Sequence, residues 1–373
     1  MHEAFLQAPQ TPLDQISGLL NVVWPLFFFV FIFFGPRIQA RLALFEIDRH
    51  LRRLEFLRNE VKVLALRTIR EIGKPTEDPT PQFNTLLEHF LITPVDLDPS
   101  GIISKLDHLI DVNDFRFKSE VKKMAPGAGD HQLNNLDSLV QASLALNTIY
   151  RVVRHFYLLG KKTSSYFIIL QLQMLLPLIM QEAEAFMGAA KAFSEGQPIG
   201  DGVGALAASK FMIGLPNRKI EKDMVATETS HEGRKIIVLK AEGPGGNVGK
   251  PGEAIRQIIE ENGGKIAMII MVDAALKFEG ENSGEISEGI GAAIGGIGTE
   301  RFKIEEVATK YKIPVHAIIV KESIQEAIMP MKKEISESTE KVTEKARKII
   351  VERTSPGDTV ILAGIGNTIG IGQ

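Results

Sequence analysis

The 373-residue chain carries 43 Lys and Arg against 46 Asp and Glu, a formal net charge of −3, with 24% charged and 44% hydrophobic residues. This is an ordinary globular mixture, long enough for two domains, and its charge gives no sign of a nucleic-acid partner. It contains no cysteine, which excludes disulfides and thiolate sites, and its eight histidines are scattered without the spacing of a zinc site.

Residues 1–15 form a short polar tail without Lys or Arg. Ile16–Phe34 follows with nineteen uncharged residues, six of them the phenylalanines between Phe27 and Phe34. A helix of that length just crosses a hydrocarbon core of ~30 Å, and Asn21 and Pro25 are tolerable within one. A transmembrane helix is therefore expected at 16–34. Arg37, Arg41, Arg49, Arg52 and Arg53 lie just beyond it, so the positive-inside rule places the N-terminus outside and the body in the cytoplasm. A cleaved signal peptide fits poorly without a basic n-region. The expected location is the cell membrane, crossed once.

Residues 36–72 predict an amphipathic stalk helix. Leu44, Ile47, Leu51, Leu54, Leu57, Val61 and Leu64 recur at three- and four-residue steps. Such a stripe docks on the chain's own body or pairs with a second copy, so 37–72 is a candidate homo-oligomer surface, including a short coiled coil. A linker at 73–82 follows, rich in Pro.

Residues 83–223 read as a helical domain. Helices are expected at Thr85–Ile92 and from Ile102 to Ile110, with a loop over 124–135. Asp96, Asp98, Ser100, Gly101, Ile103 and Asp107 match EF-hand positions, but Pro94 precedes them and Asp stands at position 12 where Glu is usual. A turn that starts a helix accounts for them better. Tyr166–Met180 is the second most apolar segment. Its fifteen residues, with Gln171, Gln173 and Pro177, predict a buried core helix rather than a second span. Asp201 lies between two glycines in a tight connection.

From 224 to 373 the pattern becomes that of an α/β domain. Continuous apolar runs at Ile236–Leu239, Ile266–Val272, Val315–Val320 and Thr359–Ile365 predict parallel strands covered on both faces. Helices are expected between them: Gly252–Asn262, one ending near Tyr311, and one opening on a Ser323/Glu326 capping box and restarting after Pro330. The expected fold is thus an N-terminal transmembrane helix, a helical middle region and a C-terminal α/β domain with an open, mainly parallel four-stranded sheet.

Ligands of such sheets bind at the carboxyl ends of the strands. The first strand delivers Glu242, Gly243, Gly245, Gly246, Asn247 and Lys250 to that edge. The second delivers Asp273 and Lys277, the third Lys321 and Ser323, and the fourth Gly364, Gly366, Asn367 and Thr368. Glycine turns, lysines and a helix N-terminus suit a phosphorylated or otherwise anionic small molecule, although tight turns alone also explain the glycines. Pro244 and Pro251 rule out a Walker A loop. GIGNTIG lies too near Gln373 for a helix to follow it, which argues against a Rossmann site. The glycine run 288–300 does not directly follow an expected strand. Glu242, Asp273 and Glu279 are the acids placed to act as base or metal ligand, without a recognisable triad or elbow beside them. No cofactor and no reaction is named by these residues.

The N-terminal apolar stretch, GPGGNVGKPGEAI, VDAALKFEGE, IVKESIQEAIMPM and the closing AGIGNTIGIGQ resemble, over the whole length, a family of archaeal proteins described only as a domain of unknown function. The resemblance implies an archaeal source and a natural end at Gln373, and carries no catalytic residues. Two functions follow as expectations: a membrane-anchored cytosolic ligand-binding protein, or a non-enzymatic scaffold oligomerising through its stalk.

Overall fold

The computed structural model describes residues 12–92, 101–296 and 298–373. The chain divides into two compact units, one of Met1–Glu55 with Tyr150–Met180 and the other of Phe56–Ile149 with Gln181–Gln373.

The first unit is built on the part of helix α1 up to Glu55; α1 spans Pro12–Gly73, 62 residues without interruption. The helices expected at 16–34 and 36–72 are parts of this one helix, with Gly35 and Pro36 inside it. A proline removes one backbone hydrogen bond, and the helical runs on both sides carry the axis through it. Against α1 lie the end of α4 (Asp130–Thr163) and the start of α5 (Tyr166–Glu195), joined by a turn with Ser164 at φ 52°. Tyr157 donates to Asp48 at 3.2 Å, Tyr166 to Gln39 at 3.0 Å and Gln173 to Glu46 at 2.5 Å. These pairs set the register: α4 runs antiparallel to α1 and α5 parallel to it.

The stalk stripe faces inward. Ile47 and Leu54 are fully buried and Leu57 and Val61 nearly so, while Leu44, Leu51 and Leu64 are half-buried. The expectation of a closed core helix at 166–180 does not hold. α5 is long and apolar enough to cross a membrane by length and composition, yet only 28% of its apolar window is buried. Phe167, Met174, Leu175 and Leu178 face outward, because the helix packs along one side only.

In the second unit, α2 spans Thr80–Leu86, earlier than the expected helix, with its missing N–H at Pro81 falling in the first turn. α3 runs from Ile102 to Met124, and α4 begins at Asp130, so the expected loop at 124–135 shrinks to five residues. The start of the calcium-like loop, including Asp96, Asp98 and Ser100, lies outside the described residues. Its Asp107 is held by Lys303 at 3.0 Å.

The sheet has seven strands, not four. These are β1 Arg218–Lys219, β2 Met224–His231, β3 Arg234–Ala241, β4 Met268–Leu276, β5 Ile286–Ile290, β6 Val315–Glu322 and β7 Thr359–Gly364, ordered β1-β2-β3-β7-β4-β6-β5. The middle four are the expected strands and are parallel, whereas β1, β2 and β5 pair antiparallel at the edges. β2 joins β3 through Glu232-Gly233, both at positive φ as a tight hairpin demands. The three extra strands are short or polar on an exposed face, so they lack the continuous apolar run of a covered strand. The glycine run at 288–300 accordingly begins inside edge strand β5.

One face of the sheet packs on α7 (Pro251–Glu261) and α8 (Thr299–Tyr311) through Ile255, Ile258, Ile304 and Val307. The other packs on α6 (Val203–Met212) and α10 (Lys333–Arg353) through Val203, Met212, Ile335, Val342 and Ile349. Between them, Ser323 and Glu326 form the expected capping box of α9, Ile324–Ile328. Ion pairs on α10 join Lys333 to Glu337 and Lys348 to Glu352. The chain leaves β4 toward one face and adjacent β6 toward the other, so the ends of β4 and β6 form the topological switch point of the sheet.

Candidate functional site

The carboxyl edge of the sheet splits into three regions. In the first, the loop after β3 and the tail after β7 satisfy each other. Thr368, fully buried, places its hydroxyl 3.0–3.1 Å from the carbonyls of Glu242, Gly245 and Asn247. The N–H of Thr368 donates to Asn247 O, that of Gly370 to Pro244 O, and the side chain of Gln373 to Gly243 O. Gly246 N–H is taken by Asn135 Oδ1 at 2.7 Å. Glycines are required because the segments nearly touch: a Cβ on Gly243 would lie 1.9 Å from Ile371 O, and one on Gly366 1.8 Å from Asp201 O. Gly364 meets the backbone of Gly204 in α6 in the same way. These glycine turns are thus closed on the chain's own groups.

The expected lysines are also engaged. Lys250 pairs with Asp111 at 2.6 Å, Lys277 donates to Ser283 at 2.9 Å and lies 3.8 Å from Glu326, and Lys321 bonds Glu281. Ser323 is spent as a helix cap.

The second region is the switch point, and it is acidic. Asp273 at the end of β4 is 6% exposed and Glu322 at the end of β6 only 2%. Burial, then the charge of Asp201, pushes the Asp273 carboxyl well above the usual carboxylate range. Burial, then Asp201 and Glu326, pushes Glu322 up to about 8. Neither Glu322 oxygen has a hydrogen-bond partner among the described residues, and Oε2 lies against Gly200, where a Cβ would come within 2.4 Å. Asp201 is raised by burial as well, partly offset by the Asn367 N–H it accepts at 2.8 Å. Glu326 behaves oppositely: burial would raise it, but Lys332, the Ser323 N–H and Ser283 together bring it down to about 2. Asp273 and Glu322 project to opposite faces of the sheet, and among the described residues no three Asp, Glu or His side chains converge on a metal position. This part of the edge disfavours a phosphate.

The third region has a small basic excess, four lysines against three carboxylates. A cleft of about 590 Å³ opens beside the β3 end of the sheet, lined by Lys118 and Lys122 of α3, His131 and Asn134 of α4, and Lys219, Lys222, Asp223, Glu242 and Asn247. Lys118 lies 3.5 Å from Asp223 and Lys219 2.9 Å from Glu242, while Lys122 and Lys222 form no ion pair among the described residues. The first turn of α4 opens onto the cleft at Asp130. Of the residues expected from the sequence, this cleft unites only Glu242 and Asn247.

Sequence reasoning passed over Lys118, Lys122, Lys219 and Lys222, although the first two stand one helical turn apart. It also left out Glu322, the closing residue of an apolar strand, and Lys240. Lys240 is fully buried in β3, with its amine on Ala241 O and Gln373 Oε1, and burial brings it down to about 8. A lysine inside an apolar strand is the signal that could have marked it.

The second unit is an α/β domain with a mixed, centrally parallel sheet and a helical region ahead of it. Residues 21–196 match the family described as protein of unknown function (DUF1512), N-terminal domain, and residues 199–372 match its C-terminal domain. The chain belongs to this DUF1512 family over nearly its whole length. No curated protein matches it.

Proposed function

We propose that the chain is a membrane protein, crossing once at residues 16–34 with its N-terminus outside, whose cytoplasmic body binds a small phosphorylated or anionic molecule. The observation that carries the ligand is the cleft beside β3, where four lysines and His131 outnumber the carboxylates of Asp130, Asp223 and Glu242. Lysine ammonium groups and unpaired helix N–H groups are the usual partners of phosphate oxygens. The span is supported by the outward-facing Trp24, Phe27, Phe28 and Phe29, each at least 59% exposed, a cost in water that lipid removes. The alternative, a scaffold oligomerising through the stalk, would need a surface other than the stripe, because Ile47, Leu54, Leu57 and Val61 are covered within the chain.

The test is thermal unfolding of the detergent-solubilised full chain with inorganic phosphate, pyrophosphate and nucleoside phosphates. At least one should raise the midpoint in a saturable way, and Lys122→Ala with Lys222→Ala should weaken that binding roughly tenfold or more, a loss of about 1.4 kcal/mol. Lys250→Ala, whose amine is committed to Asp111, should leave it unchanged. No stabilisation by any of these anions would remove the reading.

A further inference from the structure

We propose that the tip of the α4–α5 hairpin, residues 161–169, is a second membrane contact seated in the anionic headgroup layer on the side of the body; this rests on the N-terminal span proposed above. Three independent observations meet at this tip.

The first is register. Tyr166 bonds Gln39, which is five residues past Phe34 along one unbroken helix. At 1.5 Å per residue that is ~7.5 Å beyond the end of the apolar stretch, and the polar interface of a bilayer is ~5–8 Å deep on each side. The hairpin tip therefore lies at the depth of the headgroups and not beyond them.

The second is charge. Residues 35–55 and 150–180 hold nine Arg and Lys against three Asp and Glu, a net +6, while the chain totals −3 and the rest of it therefore carries −9. There is no Asp or Glu between 150 and 180. Lys161 and Lys162 at the tip, with Arg41 beside it on α1, are all exposed. Each basic residue close to an anionic leaflet contributes ~1 kcal/mol.

The third is apolar exposure in the same place. Phe167 is 66% exposed, and Tyr166 also faces outward. Bulky aromatic groups beside lysines, with no carboxylate among them, are the composition of a surface that inserts shallowly between headgroups. A soluble protein partner would call for acidic complementarity in one patch; a lipid surface supplies it as a continuous sheet adjoining the span.

The chain offers clean probes, because it has a single tryptophan, Trp24, and no cysteine. The full chain is reconstituted in phosphatidylcholine vesicles with and without phosphatidylglycerol. Trp24 fluorescence with brominated lipids reports the span, and an environment-sensitive dye on Ser164→Cys, with headgroup-attached quenchers, reports the tip. The expected result is quenching at Ser164 that grows severalfold with phosphatidylglycerol and falls back when Lys161→Glu and Lys162→Glu are added, with Trp24 quenching unchanged. Trp24 quenched and Ser164 not would overturn the hairpin contact while the span stands. Ser164 quenched and Trp24 not would leave the hairpin contact and remove the span. A dye on Leu175→Cys quenched by deep bromolipid would mean that α5 crosses the bilayer, and would also overturn a surface-seated tip.

Discussion

Glu322 is a charged-type side chain almost cut off from water: 2% exposed, with neither oxygen bonded among the described residues, and its carboxyl pushed up to about 8. The sign of the consequence follows from proton counting. Below the ordinary carboxylate value both folded and unfolded chains hold this proton, so the contribution to stability is fully present. Between that value and about 8 the unfolded chain releases the proton while the folded one keeps it, and stability falls as pH rises. Glu322→Gln removes the titration. Chemical denaturation of the full chain should show the variant gaining on the wild type by on the order of a few kcal/mol between pH 5 and about 8. A pH profile parallel to that of the wild type would show that Glu322 is solvated. The sequence could not reveal this, since Glu at the end of a strand reads as a solvated edge. Only the approach of the Gly200 backbone, distant in sequence, closes it off.

At the scale of elements, Lys303 of α8 joins three helices. It is 6% exposed, and its ammonium lies 3.0 Å from Asp107 of α3, 3.0 Å from Glu253 of α7 and 2.8 Å from Glu300. Burial would lower its pKa, but the bonds from Glu300, Asp107 and Glu253 outweigh burial and raise it. Replacing it by methionine keeps most of the volume and leaves three carboxylates facing one another. Loss of one partner from a buried ionic group costs about 3 kcal/mol or more. The urea midpoint of Lys303→Met should drop accordingly, and a change below about half a kcal/mol would show the pairs to be solvent-screened. This junction also shows what was legible. The four central strands and the capping box could be read because their patterns are local and complete. β2 and β5 could not, because an antiparallel edge needs only a neighbour to bond, and polar runs such as Thr227–His231 do not advertise one. Likewise α1 was expected as two segments, 16–34 and 36–72, because their composition differs, although one helix carries both.

At the scale of the whole molecule, charge and greasiness are divided along the chain rather than spread over it. The expected anion edge shows the limit of reading sites from sequence: the glycines and lysines were recognisable, but whether they stand open or latch on each other depends on Thr368 and Asn135 arriving from elsewhere. The membrane reading, by contrast, rests on contiguous residues and makes a directional claim. Arg37, Arg41, Arg49, Arg52 and Arg53 follow the apolar stretch, and residues 1–15 contain no Lys or Arg. Translocating that basic flank would be costly, so the tail should cross instead. Because the chain lacks cysteine, Gln7→Cys and Gln373→Cys each create one reactive thiol. With a membrane-impermeant maleimide on intact cells, Gln7→Cys should be labelled at once and Gln373→Cys only after permeabilisation. The reverse pattern would invert the topology and place the cleft beside β3 outside the cell. Labelling of neither before permeabilisation would mean that residues 16–34 do not carry the tail across.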